Sequence, residues 1–144
     1  MSLAELAGHT FERTEPVLVT MQSVAEFAAA VGTPYDSGAA PVTFPIVVTF
    51  DAIRRLVEDP AAGLTLAGLV HGEQRFSYQR PVRPGDELSA ELTVESVRSM
   101  GEATWLRTRS DVHDQRGELV VTAWSTLLHR PPDPVLPSPR SDRS

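Results

Sequence analysis

The residues of this sequence that could perform acid–base chemistry are few and lie far apart. His71, which is followed by Gly72, is the strongest candidate, because an imidazole ionises near neutral pH and can both accept and donate a proton. To act as a base it would need an orienting carboxylate, such as Glu73 or Asp36. The alternative is that His71 is hydrogen-bonded within a strand and has no chemical role. The residues alone leave both interpretations open.

The composition excludes several other kinds of chemistry. The sequence contains no cysteine, which rules out disulfides, thiolate nucleophiles and cysteine-based metal sites. His113 and His129 have no ligand spacing around them, so we expect no metal ion and no other cofactor, and we expect both to be solvated or structural. All 13 basic residues are arginines, and they are outnumbered by 19 acidic residues. The net charge of −6 argues against nucleic acid as a partner.

The length of 144 residues predicts one domain. No apolar run approaches the roughly 20 residues that a membrane span needs. Glu5 lies where a signal peptide would continue its apolar core, so we expect a cytoplasmic protein. The predicted domain covers residues 1–130, and the Pro- and Ser-rich tail over residues 131–144 is expected to be disordered.

The stretch His71–Leu88 contains the clearest local signals. Residues 74–82 alternate between apolar and polar in the period-two pattern that is typical of a half-buried strand. The apolar face is Phe76, Tyr78 and Val82, and the opposite face is Arg75, Ser77 and Gln79. Pro84-Gly85-Asp86 then predicts a turn, because Pro presets φ, Gly tolerates positive φ and Asp can bond nearby backbone. A second strand is predicted to follow from Leu88.

Two helices are predicted upstream. The first begins at Thr20 or Ser23, where Ser23 and Glu26 fit a capping box, and it ends at Gly32. The second spans Thr43–Asp59, with Thr43 as its cap. The first half of this second helix is apolar almost all round, so we expect that half to be enclosed. Residues 33–41, which carry two prolines, are predicted to form a loop.

From Leu66 onward the pattern predicts strands. They cover residues 88–95, 104–113 and 119–129, with turns around Gly101 and Gly117. The last strand is apolar on both faces, which is typical of a strand in the interior of a sheet.

A long helix followed by a meander of four strands, with an earlier extended piece at Pro16–Val19, predicts an α+β fold. The expected architecture is the hot-dog fold, in which a curved antiparallel sheet wraps around a long central helix. A single hot-dog leaves apolar sheet surface and an open sheet edge exposed. We therefore expect pairing with a second copy or with a similar subunit.

Four motifs in a fixed order carry a family resemblance. They are Ala30-Val31-Gly32, Pro41-x-Thr43-Phe44-Pro45, His71-Gly72-x-Gln74 and Val82–Leu88. Over roughly residues 11–130 the chain resembles the MaoC-like hydratase and dehydratase hot-dogs. More narrowly, it resembles their N-terminal, or A-type, branch. That branch includes the subunit that pairs with a catalytic MaoC-like partner in two-subunit (3R)-hydroxyacyl-ACP dehydratases.

The catalytic motif of that family does not carry over to this chain. Catalytic members have D-x-N-P-x-H after the first helix, where Asp and His activate the water that adds to or leaves the β-carbon. With Pro34 as the anchor, Val31 replaces the Asp, Thr33 replaces the Asn, and Asp36 stands in place of the His. The sequence contains no Asn, so the full motif cannot lie elsewhere. The resemblance therefore implies a non-catalytic subunit that shapes an acyl channel.

The resemblance also suggests which residues could contact a substrate. The candidates for a pocket in the loop are Tyr35 and Asp36, which could instead form a surface turn. The candidates to line an acyl tunnel are Phe44, Val48, Phe76 and Tyr78, which would be ordinary core residues in any hot-dog. The candidates to receive the phosphates of coenzyme A or an acidic acyl-carrier protein are Arg75, Arg80 and Arg83, which could instead be solvated.

Two functions of other classes stay open. The first is a self-sufficient hot-dog enzyme, either a hydratase that uses His71 or a thioesterase. Thioesterases of this fold often place His-Gly-Gly at the start of the central helix, whereas His71-Gly72 follows the predicted helix, which disfavours that option. The second is a homodimer that binds acyl groups without chemistry.

Overall fold

The structure is a computed structural model that describes residues 3–35, 38–59 and 62–130. Asp36 and the predicted tail over residues 131–144 lie outside the described residues. The elements, in chain order, are β1 (Val17–Leu18), α1 (Met21–Val31), α2 (Ile46–Glu58), β2 (Leu69–Tyr78), β3 (Glu87–Met100), β4 (Ala103–His113) and β5 (Leu119–His129). Short 3-10 helices cover Leu3–Leu6 and Leu66–Gly68. In the described part of the chain, neither α-helix has the length and apolar character to cross a membrane.

Helix α1 has the predicted start and end but a different capping pair. The Thr20 hydroxyl accepts the backbone N–H of Ser23 (2.9 Å), and the Ser23 hydroxyl accepts the backbone N–H of Thr20 (3.1 Å). The predicted box between Ser23 and Glu26 is therefore wrong, because Thr20, not Ser23, has the extended backbone of an N-cap residue. Gly32 ends the helix in the left-handed conformation (φ 75°), as predicted.

Helix α2 begins at Ile46, not at the predicted Thr43. The preceding residues form a turn instead, in which the N–H of Phe44 donates to the carbonyl of Pro41 (2.9 Å). Pro45 is the N-cap residue and makes no side-chain capping bond, so the prediction that Thr43 caps the helix is wrong. The helix ends at Glu58, because Asp59 takes the extended conformation expected before Pro60.

The first half of α2 is not enclosed. Val48 and Leu56 are fully buried, whereas Val47 and Phe50 remain 45% and 47% exposed. The predicted enclosure is wrong for this single chain because the sheet covers only one side of the helix, through β3 and β4. Two large apolar side chains are thus left facing outward.

The five strands form one antiparallel sheet in the order β1-β3-β4-β5-β2. Strands β3, β4 and β5 are a meander, but β2 pairs with β5 and not with β3. The predicted four-strand meander is therefore wrong at its first connection. Strand β5, apolar on both faces, takes neighbours on both edges, for example Ala123 opposite Phe76 and Ser110. This confirms its predicted interior position.

The predicted turn at Pro84–Asp86 is present, and it connects β2 with β3, two strands that are separated by β4 and β5 in the sheet. Gly85 has φ 102°, a conformation that strongly favours glycine, and the Asp86 carboxylate accepts the backbone N–H of Arg83 (2.9 Å). Because β2 ends the strand order, its outer edge has no strand partner within the described residues.

The core lies between α2 and the concave face of the sheet. Alternate sheet residues supply its largest buried side chains, which are Leu88, Leu92, Val94, Leu106, Val112 and Leu127. Burial of each such side chain favours the fold by about 1.5–3 kcal/mol. Phe76 and Tyr78 on β2 are half-buried against this core, and Arg75 and Ser77 face away from it, as predicted.

Candidate functional site

The loop that follows α1 packs against the segment that follows β2. Tyr35 lies partly buried on the core and donates its hydroxyl hydrogen to the carbonyl of Gly38 (3.0 Å). The backbone N–H of Ala40 donates to the carbonyl of Val82 (2.7 Å). These bonds hold the described part of the loop beside the segment that follows β2.

A cavity of about 480 Å³ lies between this loop and the end of β2. Its lining residues are Ala39, Ala40, Val42, Tyr78, Gln79, Arg80 and Pro81. Two of the predicted substrate-contacting residues, Tyr78 and Arg80, therefore line one hollow. A largely apolar cavity of this size with a few polar groups is typical of a small-molecule site.

Tyr78 is held at the mouth of this cavity by a hydrogen bond. Its hydroxyl donates to the carbonyl of Val42, which ties β2 to the turn before α2. Burial raises the pKa of Tyr78 to about 12. The phenol is therefore protonated at neutral pH, where it can donate a hydrogen bond but cannot serve as a base.

Arg80 is fixed by two carboxylates. Its Nη1 and Nη2 donate to the two oxygens of Asp86 (2.9 and 3.1 Å), and Nη2 also donates to Oδ2 of Asp114 (3.1 Å). The hydrogen bond to Asp86, followed by that to Asp114, raises the pKa of Arg80 against the effect of its burial. Arg80 thus joins the β2–β3 turn to the β4–β5 turn. Its contact with a substrate phosphate stays a prediction.

Asp114 anchors the other end of this bridge. Its side chain is buried, and Oδ1 accepts the backbone N–H groups of Glu118 (3.0 Å) and Arg116 (2.9 Å). The hydrogen bond from Glu118 is the largest of the effects that hold the pKa of Asp114 below its usual value, and Arg80 adds to it. We refer to Arg80, Asp86 and Asp114 as the turn cluster.

No local pattern in the sequence indicates that Asp114 and Arg80 meet. An Asp at the start of a turn ending in Gly117 predicts bonds to nearby backbone, and those bonds form. The partner across the sheet cannot be seen, because it depends on β2 lying beside β5.

Among the described residues, His71 has no partner of the kind that a catalytic base requires. His71 lies exposed on β2 opposite Leu127, just before the irregularity at Gly72. Within the described residues its ring makes no hydrogen bond or ion pair, and the carboxylate of Glu73 instead accepts the hydroxyl of Thr126 (3.5 Å). Over the same residues, no cluster of His, Asp and Glu is placed to hold a metal ion.

His129 is a structural residue. It is buried, and its Nε2 accepts the backbone N–H of Thr65 (3.0 Å). Burial lowers the pKa of His129 and favours the neutral imidazole that this bond needs.

The remaining predicted site residues fall in three places. Phe44 and Val48 are buried in the core, where the rings of Phe44 and Phe27 meet edge to face with centroids 5.4 Å apart. Arg75 lies on the opposite face of the sheet, with its guanidinium 4.7 Å from the ring centroid of Trp124. Arg83 is exposed in the β2–β3 turn. The predicted arginines therefore do not form one cluster, and the acyl-lining role of the apolar residues stays a prediction.

Comparison with known families and relatives gives a consistent result. Residues 5–123 match the family described as FAS1-like, dehydratase domain region. A UPF0336 protein of Streptomyces coelicolor is 41% identical over 139 residues, which cover 87% of this chain and 93% of that protein. A UPF0336 protein of Leifsonia xyli is likewise 41% identical, with the same coverage.

Solved structures share the fold. A MaoC-like dehydratase superposes with a TM-score of 0.73 and 25% identity, over 90% of this chain and 43% of that one. The present chain thus spans less than half of that protein. The HadBC (3R-hydroxyacyl-ACP dehydratase) complex of Mycobacterium tuberculosis superposes with a TM-score of 0.67 and 28% identity, over 85% of this chain and 96% of the matched chain. These similarities confirm the predicted hot-dog fold.

Proposed function

The chain belongs to the FAS1-like dehydratase domain family, and from this premise we propose that it is the non-catalytic subunit of a two-subunit (3R)-3-hydroxyacyl-ACP or -CoA dehydratase. In this role it pairs with a catalytic MaoC-like hot-dog and contributes part of the acyl channel. The A-type branch is the part of the family to which we assign it.

The observation that carries the proposal is the combination of a family match with a depleted loop. Val31 and Thr33 occupy the positions where the catalytic motif has Asp and Asn. Neither side chain can accept a proton from water at neutral pH. His71 does not compensate for this loss, because within the described residues it has no carboxylate to orient it. Hydration or dehydration then needs an acid–base pair from another subunit.

The surface of the chain supports pairing. The outer edge of β2 leaves backbone N–H and C=O groups without a strand partner among the described residues, which is a template for another strand. Val42, whose carbonyl accepts the Tyr78 hydroxyl, is exposed, and so are Val47 and Phe50 on the helix that follows. We refer to the β2 edge and these three side chains as the open edge. The HadBC neighbour, a complex by its title, is a further reason to propose a partner with the same fold.

The substrate would enter between the loop and β2. The cavity lined by Val42, Tyr78 and Pro81 offers an apolar wall and a neutral phenol, whose hydrogen is already donated to the Val42 carbonyl. A thioester chain fits such a wall, whereas the turn cluster beside it keeps Arg80 in place. We place the acyl contact of this subunit here.

Reconstitution tests the proposal. This chain and a MaoC-like hot-dog that has the full D-x-N-P-x-H motif are purified separately and co-expressed, and hydration of an enoyl-CoA is measured for each subunit and for the mixture. We expect the chain alone to be inactive and the co-purified complex to exceed the partner alone by at least about tenfold. Robust turnover by this chain alone would refute the proposal.

Substitution of His71 separates the proposal from a self-sufficient enzyme. In the complex, His71→Ala should retain most of the hydration rate, whereas replacement of the partner's catalytic His should abolish it. If His71→Ala abolished turnover while the complex still assembled, the chemistry would belong to this chain.

A further inference from the structure

The convex face of the sheet carries a groove that the proposed function does not use. This face points away from α2, because Leu92 of β3 and Val112 of β4 are buried on the other side. A hollow of about 590 Å³ crosses it, lined by Ser96, Arg98, Met100, Trp105, Leu106, Arg107 and Thr126. A second hollow of about 220 Å³ shares Arg107 and Thr126 and extends to Glu73, Arg75 and Trp124. We call the two together the convex groove.

The sheet register brings two arginines to either side of one indole. Arg98 on β3 lies directly opposite Trp105 on β4, and Ser96 lies opposite Arg107. Arg98 and Arg107 are therefore diagonal neighbours, with Cβ atoms roughly 7–8 Å apart, a distance that two long side chains can close around one anion. Their positions are far apart in the sequence, and pairing of β3 with β4 creates the site.

In the described part of the chain, neither of these guanidinium groups has a protein partner. Within the described residues, neither Arg98 nor Arg107 forms an ion pair or a side-chain hydrogen bond. Arg109, on the same face, differs because Glu95 and Asp111 hold it (3.3 Å each). Trp105 is 39% exposed on this face, so part of its ring is accessible to a ligand. The groove thus presents two available cations and an available ring.

The chemistry of these groups specifies a ligand class. A guanidinium matches the oxygens of a phosphate in a bidentate geometry, and an exposed indole stacks on the face of a nucleobase. The hydroxyl of Ser96 lines the same hollow and can bond a sugar or a further phosphate oxygen, whereas the Thr126 hydroxyl already donates to Glu73 (3.5 Å). We propose that the convex groove binds a nucleotide, with its phosphates between Arg98 and Arg107 and its base on Trp105.

The charge around the groove favours a small ligand over a nucleic-acid strand. The chain has a net charge of −6, and Glu91, Glu95 and Asp111 lie on β3 and β4 beyond the groove. A continuing phosphate backbone would meet these carboxylates, whereas a mononucleotide would not. A single nucleotide also matches a hollow of a few hundred Å³.

Calorimetry with ADP on the full chain tests the proposal, and Trp fluorescence locates the site. In a Trp124→Phe background Trp105 is the remaining indole, and we expect ADP to quench it with half-saturation below about 1 mM. Arg98→Gln and Arg107→Gln should each weaken ADP by about tenfold or more, and Trp105→Ala by at least about fivefold in calorimetry. Arg116→Gln, which removes an exposed arginine from the distant β4–β5 turn, should leave the affinity unchanged.

Adenosine and pyrophosphate test the base contact and the phosphate contacts separately. Adenosine and pyrophosphate should each bind at least about tenfold more weakly than ADP, since each has only half of the recognised chemistry. Equal affinity of either, absence of saturable binding, or an unchanged affinity in both arginine variants at retained circular dichroism would overturn the proposal. Binding of an oligodeoxyadenylate more than a hundredfold tighter than ADP would assign the face to nucleic acid and would overturn it too.

Discussion

Strand β2 joins two regions that are built in opposite ways. Just after β2 ends, all three charged side chains of the turn cluster are paired, because Arg80 is bonded to both Asp86 and Asp114. Along its outer side, the backbone of β2 has no strand partner in the described chain. The open edge also includes Val47 and Phe50, which are exposed on α2. The charged groups at the end of β2 are therefore paired, whereas its outer edge has no strand partner among the described residues.

The turn cluster is complete within one chain, whereas the open edge needs a second molecule to cover it. The turn cluster connects two turns of the same chain, so its stabilisation requires no second molecule. The open edge combines strand backbone that has no partner among the described residues with large exposed apolar side chains, which together promote association in water. The contrast predicts that substitutions in the turn cluster affect folding, whereas those at the open edge affect assembly.

The largest expected effect is that of Arg80→Ala on the free energy of unfolding. The substitution leaves the carboxylates of Asp86 and Asp114 near each other without their cation, and the Asp114 side chain is only 1% exposed. Because Arg80 is itself 31% exposed, we expect a loss of about 2–3 kcal/mol, below that for a fully buried pair. Urea denaturation monitored by circular dichroism measures it.

Arg83→Ala is the matched control for this change. Arg83 lies in the same turn, is exposed, and contributes its backbone N–H to Asp86, a bond that the substitution retains. We expect a change within about 0.5 kcal/mol. Equal effects of the two substitutions would mean that the turn cluster does not stabilise the fold, and the comparison with the open edge would fail.

Phe50→Asp is expected to change assembly with little effect on folding. Phe50 is 47% exposed on the single chain, so its replacement removes little from the core. A charge at the centre of an apolar interface should weaken pairing with the catalytic subunit by at least about 2 kcal/mol, or roughly thirtyfold. Analytical ultracentrifugation of the mixed subunits, with urea denaturation of the single chain, measures the two effects separately.

Leu18→Asp makes the same kind of change at the opposite side of the sheet. Leu18 is 56% exposed on β1, the other end of the strand order. It should leave pairing unchanged if the partner covers the open edge. Loss of pairing with Leu18→Asp and not with Phe50→Asp would move the interface to β1.

The same contrast explains what the sequence could predict. Several signals that act over a few residues were reliable: Gly32 ended α1, Gly85 and Asp86 formed their turn, and the apolar positions of β3 and β5 entered the core. The predicted capping residues Ser23 and Thr43 were wrong, because more than one nearby residue can cap a helix. The predicted enclosure of Val47 and Phe50 was wrong for one chain, because apolar character records burial without saying whether the chain itself or a partner provides it. The pairing of β2 with β5 was missed because strand order depends on contacts between distant residues, and Arg80 could not be matched to Asp114 for the same reason.

The smallest expected effect concerns the pH dependence of unfolding and two histidines near the start of β2. It compares a histidine that is buried and hydrogen-bonded with one that is exposed. His129 is buried opposite Leu69 and accepts a backbone N–H from Thr65, whereas His71 is exposed two positions along β2. Burial lowers the pKa of His129 in the folded state below the value of about 6.5 expected in the unfolded chain. Below about pH 6.5 the unfolded chain therefore binds a proton at this histidine more readily than the folded chain does. The contribution of His129 to the free energy of unfolding is fully present above that pH and is lost as the pH falls to the pKa of the folded state.

We expect the urea midpoint of the native chain to fall between pH 7.5 and 5.5, and His129→Gln, which can still accept the Thr65 N–H, to show a smaller fall. His71→Gln should follow the native chain over the same range, because an exposed ring that has no partner among the described residues contributes little to folding at either pH. If His71→Gln and not His129→Gln flattened the pH dependence, then the exposed histidine would be the one whose protonation matters to the fold, and β2 would not be divided into a supported end and an open edge as we describe it.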